Sequence, residues 1–250
     1  MTIEVCFTPK LFADITTKEN YIVVLADILR ATTSICAAFH NGVKEIIPVA
    51  SLDEAQAMKE KGFLVASEQD GKKLEWADFG NSAFNFSSDA IGGQALVYCT
   101  TNGTRAIEIA KHAEKIAMGA FINISALAGW LFQQNKNIVI LCSGWKNKFC
   151  LEDALFAGAL SEKLLDPGLP EADKESTSPE PVFSTSCDSV FASIDLWNAA
   201  RHDIFGYLDK AAHRHRLKKL GLDDVIPYSF ISDSTDVIPV YSGGVIRNIR

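Results

Sequence analysis

The sequence predicts an α/β protein in which a mixed, largely parallel sheet lies between helices in a three-layer α/β/α arrangement. Short apolar runs rich in β-branched residues alternate with segments of helical periodicity through the first two thirds of the chain. Such alternation favours a sheet with helices on both faces. In addition, the sharpest polar motifs directly follow the apolar runs, which is where open α/β sheets place their ligands.

The first predicted element is a strand over 21–26 (YIVVLA), because a continuous apolar run is typical of a fully buried strand. A helix is predicted over 29–39. The remaining elements of the first 165 residues are, in chain order, a strand over 43–49, a helix over 53–61, a short strand over 63–66, strands over 94–99, 115–120 and 137–142, and helices following those three at 103–112, 125–134 and 151–165.

The rest of the chain opens with a break and then returns to regular patterns. Residues 166–181 (DPGLPEADKESTSPEP) are rich in proline and charge, which predicts a surface excursion. Residues 187–220 predict one or two helices rich in His, Arg and Lys, and 237–241 (VIPVY) is the clearest late strand. We therefore expect residues 1–250 to form a single domain, or two lobes divided near 166–181.

Composition and charge narrow the classes of function. The chain has 250 residues, 48% of them hydrophobic and 22% charged, as in an ordinary globular protein. Its net charge of −7 argues against nucleic acid as a partner, because that binding needs a basic surface. No apolar run approaches the roughly 20 residues that span a bilayer, so no membrane association is expected. A homodimer is expected only from the frequency of symmetric assemblies.

The cysteines and the start of the chain predict a cytoplasmic protein. The six cysteines form no C-x-x-C pair and have no regular spacing, which is typical of reduced thiols. The first ten residues, MTIEVCFTPK, lack a basic segment followed by an apolar signal core. We therefore expect the protein to work in the cytoplasm.

The first polar motif, DILRATT, follows the predicted strand over 21–26 directly. Asp27 at the end of a strand is able to ligate a hard cation or to attack phosphorus. Arg30, Thr32 and Thr33 offer hydrogen-bond donors to an anion at the start of a helix. A helix N-cap role for Asp27 and a surface ion pair for Arg30 explain the same residues equally well.

The second motif, YCTTNGTRA, separates Cys99 from Arg105 by five residues, the spacing that thiol-based phosphatases use for their nucleophile and arginine. The signature is incomplete, because a tyrosine precedes the cysteine, an alanine follows the arginine and the loop has one glycine. A cysteine at a strand end is usually a small buried hydrophobic residue. The segment from Thr100 to Arg105 nevertheless suits a phosphate or sulfonate group.

The third motif places Glu152 and Asp153 at the start of the predicted helix over 151–165. Adjacent carboxylates there point in different directions, so one is able to ligate a cation while the other caps the helix. A plain capping pair is the commoner arrangement. Glu68 and the turn Gly80-Asn81-Ser82 are weaker signals, which ordinary turn chemistry also explains.

A basic cluster around His202, His213 and His215 lies in the helical part of the C-terminal third. Such a cluster is usually a solvated helix face, and a role in binding the anionic substrate is secondary. No His/Cys spacing resembles a zinc site. The sequence also contains no P-loop, no G-x-G-x-x-G and no G-x-S-x-G motif.

Taken together, the motifs resemble the 2-phosphosulfolactate phosphatase family, and they occur in the family's order over nearly the whole chain. They are Asp27-Ile28-Leu29-Arg30-Ala31-Thr32-Thr33, Asn41-Gly42 with Ile47-Pro48-Val49, Gly80-Asn81-Ser82, Thr100-Thr101-Asn102-Gly103-Thr104-Arg105, Leu151-Glu152-Asp153 and Asp236-Val237-Ile238-Pro239-Val240. The resemblance implies a magnesium-dependent phosphomonoesterase with a family-specific α/β fold. It also implies hydrolysis of (2R)-2-phospho-3-sulfolactate to 3-sulfolactate and phosphate, a step of coenzyme M biosynthesis.

The matched residues receive roles from their chemistry. We expect the catalytic residues to be Asp27, Arg30 and Arg105. We expect substrate contacts from Thr32, Thr33, Asn81, Ser82, Thr101, Asn102, Gly103, Thr104 and Ser143, and Mg²⁺ ligands from Asp27, Glu68, Glu152 and Asp153. The chain departs from the family at Ser67-Glu68-Gln69, where the family usually reads Gly-Glu-Arg, so one expected cation is missing.

The sequence thus predicts a cytoplasmic Mg²⁺-dependent phosphatase that acts on a small, doubly anionic organic phosphate. Either Asp27 attacks phosphorus or a metal-bound water does. The alternatives are a phosphatase of another hydroxy-acid or sugar phosphate, a cysteine phosphatase that uses Cys99, and a non-catalytic protein that binds a phosphorylated or sulfonated metabolite.

Overall fold

The protein is represented by a computed structural model that describes residues 1–14, 20–166 and 183–250. Its described part contains a ten-stranded mixed sheet. The strands are β1 (Ile3–Cys6), β2 (Tyr21–Ala26), β3 (Glu45–Pro48), β4 (Leu64–Gln69), β5 (Lys72–Lys73), β6 (Ala95–Cys99), β7 (Lys115–Gly119), β8 (Asn137–Cys142), β9 (Pro239–Ser242) and β10 (Val245–Asn248). The α-helices of these ranges are α1 (Ala31–His40), α2 (Leu52–Glu60), α3 (Ser88–Ile91), α4 (Gly103–Ala110), α5 (Ile124–Gln134), α6 (Leu151–Leu165), α7 (Asp188–Ala200), α8 (Ile204–Leu208), α9 (Ala212–Lys219) and α10 (Val225–Ser229).

The sheet consists of two parallel groups joined by the C-terminal hairpin. Its strand order is β1-β8-β2-β7-β9-β10-β3-β6-β4-β5. The first four strands are parallel to one another, as are β3, β6 and β4. Because β9 and β10 pair antiparallel with each other and with β7 and β3, the two parallel groups run in opposite directions.

This topology positions the candidate site. The segments at the carboxyl ends of β2 and β8, from one group, and of β4 and β6, from the other, all line a single cavity. Although the two groups run in opposite directions, the segment after β2 reaches the turn after β4, where Arg30 donates a hydrogen bond to the Gly71 carbonyl. Segments from both groups therefore line the cavity.

The central strand and the helices form for local reasons. All six residues of β2 are buried, as its continuous apolar run predicts. On α2 only Ala55 is buried, and the Ser51 hydroxyl caps the helix by accepting a hydrogen bond from the N–H of Glu54. The longest described helix, α6, buries most of its residues and packs against α7.

The fold class is confirmed: the protein is α/β with a mixed, largely parallel sheet. Strand β8 and helix α6 have the predicted bounds. Helix α1 begins at Ala31 rather than at 29 because Arg30 has a non-helical φ of −144°. The region 187–220 contains three helices rather than one or two, since the chain leaves helical geometry after α7 and Asp203 caps the next helix.

Some elements were not predicted, and some expectations fall outside the described residues. Strands β1, β5 and β10 have two to four residues each, too few for a clear pattern, and they are defined by their pairing with neighbouring strands. The predicted excursion over 166–181 lies outside the described residues apart from Asp166, so the expectation of one domain or two lobes stays a prediction. No helix in the described ranges combines the length and apolarity needed to cross a membrane.

A close helix crossing gives a prediction about stability. A Cβ added at Gly158 of α6 would lie 2.0 Å from the carbonyl oxygen of Ser193 in α7. We expect Gly158→Ala to lower the free energy of unfolding by about 1–3 kcal/mol, because the helices must separate. Urea denaturation measures the change. The matched control is Gly129→Ala at an exposed position of α5, where an added Cβ meets nothing within 4 Å. This substitution should raise the free energy of unfolding by about 0.5–1 kcal/mol. Equal effects of the two substitutions would contradict the packing account.

Candidate active site

A polar cavity lies where the carboxyl ends of four strands meet. Two carboxylates, two guanidinium groups and several neutral oxygen-bearing side chains face it. Its lining residues are Asp27, Leu29, Arg30, Glu68, Gly71, Asn81, Thr100, Thr101, Asn102, Trp145, His213, Arg216 and Leu217. The lining includes six residues with a predicted role, namely Asp27, Arg30, Glu68, Asn81, Thr101 and Asn102.

Asp27 accepts a hydrogen bond from the first residue of α1 and also faces the cavity. Its Oδ1 accepts a hydrogen bond of 3.0 Å from the N–H of Ala31, and its own N–H donates to Thr32 Oγ1 at 3.1 Å. The hydroxyl of Ser143 lies near the same carboxylate and favours its charged form. Burial raises the pKa of Asp27 above its ordinary value, and the negative charge of Glu68 adds to this, while the hydrogen bonds oppose it.

Thr32 and Thr33 support this loop from inside the protein. Both side chains are buried, and neither lines the cavity. Thr32 Oγ1 accepts from Asp27, as described, and Thr33 Oγ1 donates to the carbonyl of Ile28 at 2.9 Å. Their position indicates that they hold the Asp27 loop rather than contact a ligand.

Glu68 joins the β4–β5 turn to the loop after β6. Its Oε2 accepts from the N–H of Gly71 at 2.5 Å and its Oε1 from the N–H of Thr101 at 2.7 Å. Arg30 reaches the same turn, because its Nη2 donates to the carbonyl of Gly71 at 2.9 Å. Burial lowers the pKa of Arg30 and the charge of Glu68 opposes that change, so the two charged groups support each other across the cavity.

The loop from Thr100 to Thr104 is closed by reciprocal hydrogen bonds. Thr104 donates from its N–H to Thr100 Oγ1 at 3.3 Å and from its hydroxyl to the Thr100 carbonyl at 2.8 Å. At the next turn, a Cβ on Gly103 would lie 2.7 Å from Ala31 Cβ and 3.5 Å from Asp27 Oδ2. The absence of a side chain at Gly103 therefore lets the loops after β2 and β6 approach each other closely.

Cys99 and Arg105 do not meet at this cavity. The Cys99 thiol packs into a small core cluster with Val49, Ala55, Val65 and Val97. Burial raises its pKa to about 11, so the thiol is protonated at neutral pH. Arg105 is exposed and lines a separate cleft with Lys10, Lys146 and Lys148. The arrangement thus agrees with a structural cysteine and places the predicted catalytic arginine elsewhere.

Asp153 is a buried brace between two loops. Its Oδ1 accepts from the N–H of Ile28 at 2.9 Å and its Oδ2 from the N–H of Gly144 at 3.0 Å. These bonds tie the segment after β2 to the segment after β8. Burial, followed by the charges of Glu152 and Asp27, holds the pKa of Asp153 well above its ordinary value. Both carboxylate oxygens are engaged with backbone, and Asp153 does not line the cavity.

Glu152 lies behind the cavity wall and contacts a residue that does line it. Its Oε1 is 2.7 Å from Nδ1 of His213, whereas its Oε2 is buried without a hydrogen-bond partner among the described residues. The contact orients the His213 imidazole and leaves Nε2 as the ring nitrogen free of Glu152. A carboxylate that fixes a histidine in this way sets its tautomer and orientation.

Asn81 and Ser82 are divided between cavity and turn. Asn81 lines the cavity, and its Oδ1 accepts a hydrogen bond of 2.5 Å from the Tyr98 hydroxyl. The Ser82 hydroxyl accepts from the N–H of Phe84 at 3.4 Å and caps a short 3₁₀ helix, Ala83–Asn85. Ser82 is therefore a structural residue of the turn that presents Asn81.

Helix α9 brings to the cavity two residues of the basic cluster that were not among the expected site residues. His213 and Arg216 both line the cavity, and the rings of Trp145 and His213 stack at a centroid distance of 6.3 Å. The Arg216 guanidinium lies 5.2 Å from the centroid of Trp145 and donates to the carbonyl of Asp70. The i, i+3 spacing of His213 and Arg216 puts them on one helix face, a signal that was present within the basic cluster.

The cavity fits a hard divalent cation at Asp27 and Glu68. Both carboxylates face it, and the amide and hydroxyl groups of Asn81, Thr101 and Asn102 add neutral oxygen donors. Magnesium prefers such an all-oxygen set. The charge of Glu68 disfavours ionisation of Asp27, so a cation between them would relieve a repulsion that is visible in the protein itself.

Comparison with known proteins gives a consistent match. Residues 6–244 match the family model described as 2-phosphosulpholactate phosphatase. A protein of Caldanaerobacter subterraneus subsp. tengcongensis is 34% identical over 234 residues, which cover 92% of this chain and 91% of that protein. One from Prochlorococcus marinus is 36% identical over 206 residues, 80% of each chain, and one from Clostridium novyi is 31% identical over 226 residues, 89% of this chain and 90% of that protein. All three are named probable 2-phosphosulfolactate phosphatase.

The raised pKa of Asp27 predicts how a substitution changes stability. In the metal-free protein, Asp27→Asn should raise the melting temperature at neutral pH, because it removes a charge that burial disfavours and keeps an oxygen for the Ala31 N–H. The folded-state pKa lies above the unfolded value of about 3.9, so the penalty is complete above the folded pKa and fades as the pH falls toward the unfolded pKa. The advantage of the variant should therefore shrink between pH 8 and pH 4.

Differential scanning calorimetry of both proteins across this pH range measures the difference. A melting temperature of Asp27→Asn that falls further below that of the wild type as the pH rises would contradict the sign of the shift. Thr101→Val, a change of an exposed cavity residue without a charge, is the matched control and should show no such pH trend.

Proposed function

The chain belongs to the 2-phosphosulpholactate phosphatase family and is a phosphoric monoester hydrolase, and from this premise we propose that it hydrolyses (2R)-2-phospho-3-sulfolactate to 3-sulfolactate and phosphate with Mg²⁺ as cofactor. The observation that carries the proposal is the joint presence of the Asp27 and Glu68 carboxylates and two arginines in one cavity. Carboxylates suit a hard cation, and guanidinium groups suit phosphate and sulfonate.

Asp27 and Glu68 are the residues that would hold Mg²⁺, which when bound supplies positive charge to stabilise the phosphoryl oxygens. Glu152 and Asp153 were also expected as ligands from the sequence. We assign them a positioning role instead, because neither lines the cavity: Asp153 holds the loops after β2 and β8, and Glu152 orients His213.

Arg30 and the loop after β6 are proposed to bind the phosphate. The Arg30 guanidinium is buried at the cavity and is fixed by the Gly71 carbonyl, so it is pre-oriented to donate hydrogen bonds to an anion. Thr101 and Asn102 face the same space and lead into α4, whose first backbone N–H groups are directed toward the loop. Such fixed donors stabilise the charge that develops during phosphoryl transfer.

Arg216 is proposed to bind the sulfonate of the substrate. The chain has Gln69 where the family usually has arginine, and Arg216 of α9 brings a guanidinium to the same cavity from another part of the chain. Its stacking on Trp145 and its bond to the Asp70 carbonyl hold the planar group in place. The phosphate and the sulfonate of the substrate are therefore each assigned a separate arginine.

His213 is proposed to donate the proton that the leaving group needs. Hydrolysis adds water to phosphorus and breaks the ester P–O bond, and the released alkoxide takes up a proton. His213 lines the cavity and is held through Nδ1 by Glu152, so Nε2 is the atom available for this transfer.

We further propose a cytoplasmic location, which the cysteines favour, and a place in coenzyme M biosynthesis, which the family resemblance implies. Cys36, Cys99, Cys142 and Cys150 are buried free thiols, and Cys187 is a partly exposed one. Free thiols in a chain with this many cysteines are typical of a reducing compartment.

The proposed function predicts a defined substrate preference. With Mg²⁺, the protein should release phosphate from (2R)-2-phospho-3-sulfolactate, and kcat/KM for 2-phospholactate, which lacks the sulfonate, should be about 10–100-fold lower because a charged hydrogen-bonded contact is lost. Phosphate release is measured with and without a chelator, followed by Mg²⁺ repletion. Activity that survives chelation would refute the metal assignment, and equal kcat/KM values would favour a phosphatase of another hydroxy-acid phosphate.

The structure also predicts which arginine matters for the sulfonate. Arg216→Gln should lower kcat/KM for the sulfonated substrate by about 10–100-fold and change that for 2-phospholactate little, since only the first substrate has a sulfonate. Arg105→Gln is the matched comparison, because Arg105 lies in a separate cleft, and it should change neither value more than about threefold. A larger loss from Arg105→Gln, or an equal loss on both substrates from Arg216→Gln, would overturn the assignment.

A further inference from the structure

Three chemically different side chains converge just behind the wall of the cavity. Ligand atoms of Cys150, Glu152 and His213 all lie within 4.8 Å of one another. Cys150 is the N-cap residue of α6, Glu152 lies in the first turn of that helix, and His213 comes from α9. The cluster therefore joins two helices that are far apart in the sequence, and it offers one sulfur, one oxygen and one nitrogen donor.

An unsatisfied buried atom points to a ligand at this cluster. Glu152 is 1% exposed, and its Oε2 has no hydrogen-bond partner in the described part of the chain. Buried polar side-chain atoms normally have a partner, and a carboxylate oxygen without one is costly. A bound cation would satisfy this oxygen.

The charges around the cluster also favour a cation. The carboxylates of Asp27 and Asp153 lie close enough to act on Cys150 electrostatically, in addition to Glu152. His213 is the basic member of the cluster, and Arg30 and Arg216 face the neighbouring cavity. A divalent ion would add positive charge to a region that holds three carboxyl groups and one thiol.

We propose that Cys150, Glu152 and His213 form a binding site for a divalent ion of the Zn²⁺ type, separate from the cation position at Asp27 and Glu68. Sulfur and imidazole donors select zinc-like ions over magnesium. In tetrahedral sites with bonds of about 2.0–2.3 Å, ligand atoms lie roughly 3.3–3.8 Å apart, so the more distant ligand atoms must approach by about 1 Å and the 2.7 Å contact between Glu152 and His213 must open slightly. The Cys150 thiol would release its proton to solvent on binding.

Occupancy of this site would reach the active site through His213. This consequence rests on the proposed function, in which His213 serves as the proton donor. An ion bound to the imidazole withdraws it from that role, so Zn²⁺ should inhibit the Mg²⁺-supported reaction. Binding itself requires no assumption about the reaction.

Cobalt is the spectroscopic probe for this site. Chelator-treated full-length protein is titrated with Co²⁺, and the sulfur-to-cobalt charge-transfer absorption in the near ultraviolet is recorded, followed by displacement with Zn²⁺. The wild type should show the band, and Cys150→Ser should lose it and bind Zn²⁺ at least about 10-fold more weakly. Serine is a favoured N-cap residue, so this variant keeps the start of α6.

The matched control is Cys187→Ser, since Cys187 is the N-cap of α7 and lies outside the cluster. It should keep both the band and the Zn²⁺ affinity, whereas His213→Gln should weaken both. No band in the wild type, a band that persists in Cys150→Ser, or equal loss in Cys187→Ser would each overturn the proposal. Because the readout is absorption, these results stand apart from any failure of the phosphatase assay.

Discussion

Buried carboxylates that accept backbone hydrogen bonds hold the loops of the cavity together. Asp153 binds the N–H groups of Ile28 and Gly144, and Glu68 binds those of Gly71 and Thr101. Each carboxylate therefore joins two segments that follow different strands. Each carboxylate acts within one parallel group of strands, and the Arg30 guanidinium, which donates to the Gly71 carbonyl, connects the two groups.

Burying these carboxylates close together has an electrostatic cost, which binding of the proposed cation would offset. Burial raises the pKa of both Asp27 and Asp153, and each neighbouring carboxylate adds to the effect. Arg30 offsets part of the negative charge inside the cavity. Active sites commonly retain such unfavourable groups because they bind cations and substrates, while the surrounding fold supplies the stability. The acidic lining is thus consistent with a cation-dependent phosphatase.

Local patterns predicted the fold class and about half of the residues that line the cavity, but not the contribution of α9 to that lining. Asp27, Arg30 and the Thr101–Asn102 segment were found because polar residues follow buried strands, and the cavity lies at those strand ends. The position of Arg105 was not predictable, since one turn of helix directs it into another cleft. The contribution of α9 depends on long-range packing that brings His213 against Glu152, and no local spacing encodes that contact.

The central claim is that Asp27 and Glu68 form the cation position beside the phosphate-binding arginine. Anomalous diffraction from crystals grown with Mn²⁺, which takes the same oxygen ligands as Mg²⁺, measures this directly. The account predicts a strong anomalous peak within bonding distance of carboxylate oxygens from both residues. A peak bound instead by Glu152 and Asp153, or no peak at Asp27, would contradict it.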